Sequence, residues 1–437
     1  MNKRLILTLT LAFVVGLFFN AYAEVQNVKV GGDILMQGVS RDDFRLKAGS
    51  TANERDYRES FISSQVRVKV DADLTDNVST TMRLINERLW GEQNSVNTAT
   101  NNTNNIDIDL AYITLKEFLY SPLTLTLGRQ EIFFGKGLII ADGTNYYDFS
   151  TTKASNVPND LSLRKAFDAI RATLNYDPLM VDLIYAKAEE NTRNVSDDVD
   201  VAGLNAHYVI DNKTSVDGYF YAKNDKNGLG KKEKFYTIGA LLAVNPIEKL
   251  MTSLEFAYQF GAFRSTATDA ATRRRAFAIQ AMADYMFKTK LDPMVGVAYT
   301  YLSGDQSATD NTHAEWDPMF EGQAPNDLTN AIFAGTNVAV FNVYGKLKPK
   351  DDLALKANLG LYYLTSKRAS FTNIYTGQTL MFNDDKEAGQ ELDLSATYDY
   401  TEDVQMALNW GWFKPGKAFQ DANNDATQLI GSMKVAF

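Results

Sequence analysis

The chain has 437 residues, of which 45% are hydrophobic and 22% charged, with a formal net charge of −10 and no cysteine. This excludes a bundle of membrane helices and a disordered polymer, and it excludes disulfide scaffolds, thiol nucleophiles, cysteine-bound zinc and iron–sulfur clusters. Two histidines, His207 and His313, leave little room for metal catalysis, and the acidic balance argues against nucleic acid as a partner.

The first element is a targeting segment. Lys3 and Arg4 give a basic start, Leu5–Phe19 is an apolar run, and Ala21-Tyr22-Ala23 supplies a small-x-small cleavage pattern before Glu24. The run is too short for the roughly 20 residues that cross a bilayer. Residues 1–23 are therefore predicted to be a cleaved secretory signal and residues 24–437 a single domain. Loss of Lys3 and Arg4 takes the net charge from −10 to −12.

After the signal, runs of about ten residues alternate apolar and polar side chains between turn signals, the pattern of tilted strands that cross a membrane. In Gln65-Val66-Arg67-Val68-Lys69-Val70 the valines share one face, with Gln65, Arg67 and Lys69 on the other. Such runs predict 18 strands, the first nine at 26–40, 58–73, 78–90, 106–118, 122–131, 166–176, 179–189, 200–210 and 214–224. The second nine fall at 235–245, 249–260, 274–287, 292–302, 336–347, 352–365, 390–400, 404–413 and 427–437. Eight connections are tight, such as Thr75-Asp76-Asn77 and Thr401-Glu402-Asp403, nine are longer and polar, and the two kinds alternate along the chain. A soluble sandwich gives no reason for that parity, whereas an outer-membrane barrel has short periplasmic turns and long extracellular loops.

The predicted fold is an all-β transmembrane antiparallel barrel in the bacterial outer membrane. Leu429, Gly431, Met433, Val435 and Phe437 lie on one face of a last strand that ends on an aromatic, which implicates the outer-membrane assembly machinery as a partner. Aromatic pairs at strand ends, such as Tyr258 with Phe260 and Trp410 with Trp412, read as interfacial girdles against membrane lipid.

If apolar positions face lipid, the alternating polar positions line the lumen. Basic lumen candidates are Lys29, Arg67, Lys69, Arg83, Arg171, Lys356 and Lys434; since the last strand closes on the first, five of these form a basic arc on four adjacent strands. Asp182, Asp217, Glu255 and Asp284 fall roughly opposite, giving a transverse field that would guide charged solutes; the bland alternative is that the charges pair with one another. Leu123, Leu125 and Leu127 would continue their lipid face to Arg129, at a cost of about 2–4 kcal/mol near the midplane. Either a bulge at Gly128 turns Arg129 inward as a further lumen base, or Arg129 lies above the hydrocarbon. The loop from Ile132 to Lys165, with Gly135, Gly137, Asp142, Gly143 and the apolar patch Leu138–Ala141, is expected to fold back as a constriction, the alternative being that its apolar parts extend the flanking strands. Arg273-Arg274-Arg275, near an outer strand end, is read as a solvated loop face or a contact for lipopolysaccharide phosphates.

Three segments, Leu127-Gly128-Arg129-Gln130-Glu131-Ile132, Phe167-Asp168-Ala169-Ile170-Arg171 and Tyr301-Leu302-Ser303-Gly304-Asp305, resemble the alginate-export family of outer-membrane barrels. The resemblance implies an 18-stranded passive channel, with Arg129 and Arg171 as lumen bases facing polyuronate carboxylates. An anionic polysaccharide or oligosaccharide is the leading solute class, and the alternatives are a general size-selective porin with a mixed-charge lumen or a non-conducting barrel that presents its loops. No cofactor, metal or enzyme activity is expected: the glycine segment after Gly128 fails P-loop spacing, and neither histidine has a serine nucleophile beside it.

Overall fold

The computed structural model describes residues 27–47, 58–91, 106–144, 157–190, 198–226, 233–264, 271–306, 310–368, 370–422 and 424–437. The predicted signal segment and its boundary lie outside them. The strands are β1 Asn27–Asp42, β2 Arg58–Thr75, β3 Val78–Leu89, β4 Asp107–Leu115, β5 Leu123–Gln130, β6 Phe167–Asn175, β7 Leu179–Glu189, β8 Val199–Asp211, β9 Thr214–Asp225, β10 Glu233–Ile247 and β11 Leu250–Phe263. They continue with β12 Thr272–Met286, β13 Met294–Leu302, β14 Thr312–His313, β15 Val338–Lys350, β16 Leu353–Leu364, β17 Ser370–Thr372, β18 Thr379–Met381, β19 Glu387–Asp399, β20 Val404–Pro415 and β21 Ala426–Ala436.

Each long strand pairs antiparallel with its neighbours in chain order, and β21 pairs back onto β1 from Asp33↔Ala436 to Asp42↔Thr427. The sheet therefore closes, and lipid meets no unpaired backbone edge. With the two-residue β14 set aside, the wall has 18 strands. The last residue finishes the seam, the Phe437 N–H donating to the Gly32 carbonyl at 3.0 Å and the Gly32 N–H to Phe437 at 2.9 Å. All eight short turns lie at one end, and the nine longer connections lie at the other.

The alternation decides which side chains meet lipid. Val30, Leu254, Phe256, Tyr299 and Leu408 point outward and are exposed on the free molecule. The opposite face is only partly polar: Ile85, Ile184, Val201, Tyr221, Phe235, Ala278 and Phe413 point inward and are fully or almost fully buried. An empty pore would leave these groups in water, at roughly 25 cal/mol per Å² of apolar surface. They are covered by loops that fold into the barrel, so the lumen contains two hydrophobic cores.

Candidate functional site

The lumen is filled from the end that carries the long loops. Ile132 and Leu138–Ile140 of the β5–β6 loop pack with Trp316, Met319 and Phe320 of the β13–β15 connection against the β6–β13 wall. The two loops are stitched together where the Ala141 N–H donates to the Phe320 carbonyl at 2.8 Å, Phe320 N–H to Ile139 at 3.1 Å and Gly322 N–H to Gly137 at 2.9 Å. The short helix Asp327–Ile332 then places Leu328, Ala331 and Ile332 against Tyr362, Phe413 and Ala426 on the other wall, beside Phe44 and Leu46 of the first loop. The β13–β15 segment thus spans the lumen, and the expected constriction residues Gly135, Gly137, Asp142 and Gly143 belong to the loop that runs beside it. Asp142 is held by Lys165 and by the Thr144 N–H at 2.9 Å, and the Gly143 N–H donates to Lys165 at 3.0 Å.

This plug is clamped at both ends. Ser303 Oγ donates to Ala314 at 2.7 Å and accepts from the Phe277 N–H at 2.9 Å, while the Trp316 N–H reaches Ser303 at 2.8 Å. At the exit, Asn337 donates to Ser366 at 3.1 Å and accepts from Thr365 at 2.9 Å. Gly304 lies so close to Asn337 that a β-carbon would come within 1.7 Å of its Oδ1. The Ser303-Gly304 pair read from the sequence therefore fixes the root of the plug.

The charged candidates fall into two groups. Lys29, Arg67, Lys69, Arg83, Arg171, Lys356 and Lys434 share the inward register with Asp182, Asp217, Glu255 and Asp284. The inward arginines are neutralised by adjacent carboxylates: Arg67 by Asp33 at 3.0 Å, Arg171 by Asp182 at 2.7 Å, and Arg83 by both Asp109 and Glu131. Asp109 reaches Arg83 because the β3–β4 register shifts beside it. Lys69 pairs with Asp71 at 2.9 Å, whereas among the described residues Lys29, Lys356 and Lys434, like the unanticipated Lys346, form no salt bridge and line the half of the lumen near the short turns. On the opposite wall the carboxylates are held by groups other than lysine: His207 on Asp217 at 3.0 Å, Tyr219 on Glu255 at 2.8 Å and Tyr344 on Asp284 at 2.6 Å.

Arg129 is a correction to the expected lumen set. The β5–β6 register runs without a break from Leu123↔Leu174 to Gln130↔Phe167, so Arg129 stays on the outer face with Leu123, Leu125 and Leu127. It sits at the loop end of the strand and pairs with Asp168 at 3.1 Å, in register with Lys187, a position near headgroups rather than the midplane. Gly128 introduces no bulge. Its φ of +119° and a would-be β-carbon 2.2 Å from the Ala111 carbonyl show that it allows β4 to approach closely. Gln130 then points inward and donates to Thr126, Gly128 and Ala169 at 3.1–3.3 Å, closing the strand end.

Two cavities flank the plug. The larger, about 560 Å³, is lined by residues that include Arg274, Glu315, Asp317, Phe333 and Phe371; the smaller, about 260 Å³, by Lys136, Gln280, Asn342, Tyr344 and Asn358. Both include Thr300, Gln323 and Pro325, so they meet there. Gln323 bars the junction, donating to Gln280 at 3.0 Å and to the Lys136 carbonyl at 2.9 Å.

The helix seat is expected to respond to pH. Desolvation within the lumen, followed by Asp393 and Asp160, pushes Asp327 up to about 6, with Lys356 opposing. A raised carboxyl pKa favours the seat when Asp327 is protonated; that contribution is complete below about pH 4 and is lost as pH rises through about 6. Conductance should therefore rise between pH 5 and 7.5, and Asp327→Asn should flatten the profile; an unchanged slope in the variant contradicts this assignment.

A closed 18-stranded wall, apolar outside and with long loops folded into a charged interior, defines a channel-type β-barrel of the bacterial outer membrane. The sequence matches the alginate export family over residues 27–431, and the chain belongs to that family. Among solved structures, it is similar to Pseudomonas aeruginosa OccK11 (OpdR), with 12% identity, a TM-score of 0.55 and coverage of 93% of this chain and 96% of that one. Pseudomonas aeruginosa OpdO shares 10% identity at a TM-score of 0.58 over 95% of this chain and 98% of its own. For OprD of the same organism the figures are 11%, 0.54, 95% and 97%. At these identities the likeness concerns the fold alone. No curated protein sequence matches the chain.

Proposed function

We propose that this channel passes acidic oligosaccharide or polysaccharide of the uronate class, along the β12–β16 side of the plug. The observation that supports this reading is the smaller cavity, where Gln280, Asn342, Asn358, Gln323 and Tyr344 place amides and a hydroxyl that match sugar hydroxyls, beside Lys136, which forms no salt bridge among the described residues. Lys29, Lys346, Lys356 and Lys434 add positive charge near the short-turn mouth, where a focused field raises the local concentration of carboxylates. The alginate export family makes polyuronate the first solute to test.

Neutralising Lys29, Lys136, Lys356 and Lys434 together to glutamine should move the zero-current potential in a salt gradient toward cation preference. It should also remove the block of current by added oligouronate. A zero-current potential identical to that of the unmodified channel would reject the lysines as the selective element.

A second reading, a general diffusion porin, is favoured by the arginines already being matched with carboxylates. Liposome swelling with neutral sugars of graded size separates the two: a smooth cut-off by size alone supports the porin. The absence of any conductance would favour a barrel that serves mainly to present its loops.

A further inference from the structure

The Arg273-Arg274-Arg275 run is divided by the period of the strand. Arg274 turns into the lumen and is buried against Glu233, with the Glu315 carbonyl at 3.0 Å from Nη1. Arg273 and Arg275 turn outward at the long-loop end of β12 and are exposed. Two strands away, Lys234 is also exposed and lies in register with Arg273 through Ala262. Strand spacing puts these two about 10 Å apart, and Arg273 and Arg275 about 7 Å apart.

Among the described residues none of the three cations has a carboxylate partner. Three outward cations elsewhere on the rim do, Arg58 meeting Asp42 at 3.0 Å, Arg129 meeting Asp168 at 3.1 Å and Lys187 meeting Asp198 at 3.2 Å, and among the described residues no other stretch of the outward long-loop rim gathers three unmatched cations within two strands. The outward face of β10–β13 below them has no acidic residue and is rich in aromatic rings. Tyr236 stacks on Phe260 with centroids 5.4 Å apart, Phe260 on Tyr258 at 6.1 Å, and Phe277 on Tyr301 at 5.2 Å. Lys234 Nζ lies 5.7 Å from the centroid of the Tyr236 ring.

We infer that Lys234, Arg273 and Arg275 form a binding site for the phosphorylated sugar headgroup of an outer-leaflet glycolipid, whose acyl chains lie on the aromatic face of β10–β13. The position sets the occupant: the cations are at the lipid boundary, at the end opposite the short periplasmic turns, directly above an apolar surface. A guanidinium fork matches a phosphate in a bidentate manner, and two forks and an ammonium within about 10 Å fit a headgroup with two phosphates. A soluble phosphate would use only the polar edge and leave the aromatic field without a role.

The test is native mass spectrometry of the detergent-purified full-length protein titrated with bisphosphorylated lipid A, the dephosphorylated glycolipid and phosphatidylglycerol. Lipid A should remain bound to the unmodified protein, and K234Q/R273Q/R275Q should weaken it at least about tenfold while R58Q/K187Q does not. Single-channel conductance reports folding, since all five positions face away from the lumen. Equal retention of lipid A by the triple variant overturns the proposal, as does equal binding of the dephosphorylated glycolipid. Phosphatidylglycerol binding as tightly as lipid A would reduce the site to a general anionic-lipid surface and overturn the headgroup assignment.

Discussion

Replacing Lys223 by alanine should convert a quiet, largely closed channel into one of clearly higher conductance. Lys223 projects from β9 into the lumen, where its ammonium lies 3.0 Å from Asp317 and over the rings of Phe235 and Phe320. Burial alone would raise the Asp317 pKa, but Lys223 and then Arg274 outweigh it and hold the carboxyl at about 2. The depressed value means that the anchor is complete above about pH 4 and fails only as pH falls toward 2. Without Lys223, the largely buried carboxylate loses its nearer compensating charge and keeps only Arg274, at a cost of up to about 3–5 kcal/mol. The loop can avoid that cost by lifting from the wall into water. Lys223→Met combined with Asp317→Leu removes both charges and keeps apolar contact, so it should restore closure. Single-channel recordings decide the matter: an unchanged current in Lys223→Ala, or an open state in the double variant, would rule out an ionic anchor.

The other end of the plug should fail differently. Glu391 on β19 is fully buried and accepts the Leu328 N–H at 2.6 Å and the Thr329 N–H at 2.9 Å, the amides that open the short helix. A buried N–H left without its acceptor costs about 1–3 kcal/mol, so Glu391→Ala should weaken the seat by about 2–6 kcal/mol. The Phe320 half would stay in place because its contacts are with β6–β13. The expected result is an intermediate conductance together with faster proteolysis within residues 327–337. Glu391→Gln retains one acceptor oxygen and should lie between. Protease resistance equal to that of the unmodified protein would show that the helix is held by packing alone.

The wall was legible because a two-residue period leaves a strong trace: the alternating valines of β2 and the parity of turns and loops place all 18 strands to within a few residues. The face of Arg129 was harder. The penalty argument rules out the midplane and leaves two placements, inward through a bulge or outward above the hydrocarbon; the structure takes the second, and the choice depends on register and on the partner Asp168, which the local pattern does not encode. The apolar patch Leu138–Ala141 did announce a need for cover. By contrast, Trp316, Phe320, Leu328 and Ile332 are spread among prolines, glycines and amides without a period, so the plug they form left no local signal. The pairing of Arg67 with Asp33 and of Arg83 with Asp109 likewise depends on register, which becomes readable only once neighbouring strands are aligned.

The clamp formed by Ser303 and Asn337 separates two jobs within one polypeptide. Because the entry and exit of the occluding segment are pinned next to each other at the ends of β13 and β15, its interior can lengthen, shorten or change sequence without shifting the pairing of the 18 long strands. Selectivity in this barrel is thus modular: a cassette exchanged between those two residues should yield a new filter inside an unaltered cylinder.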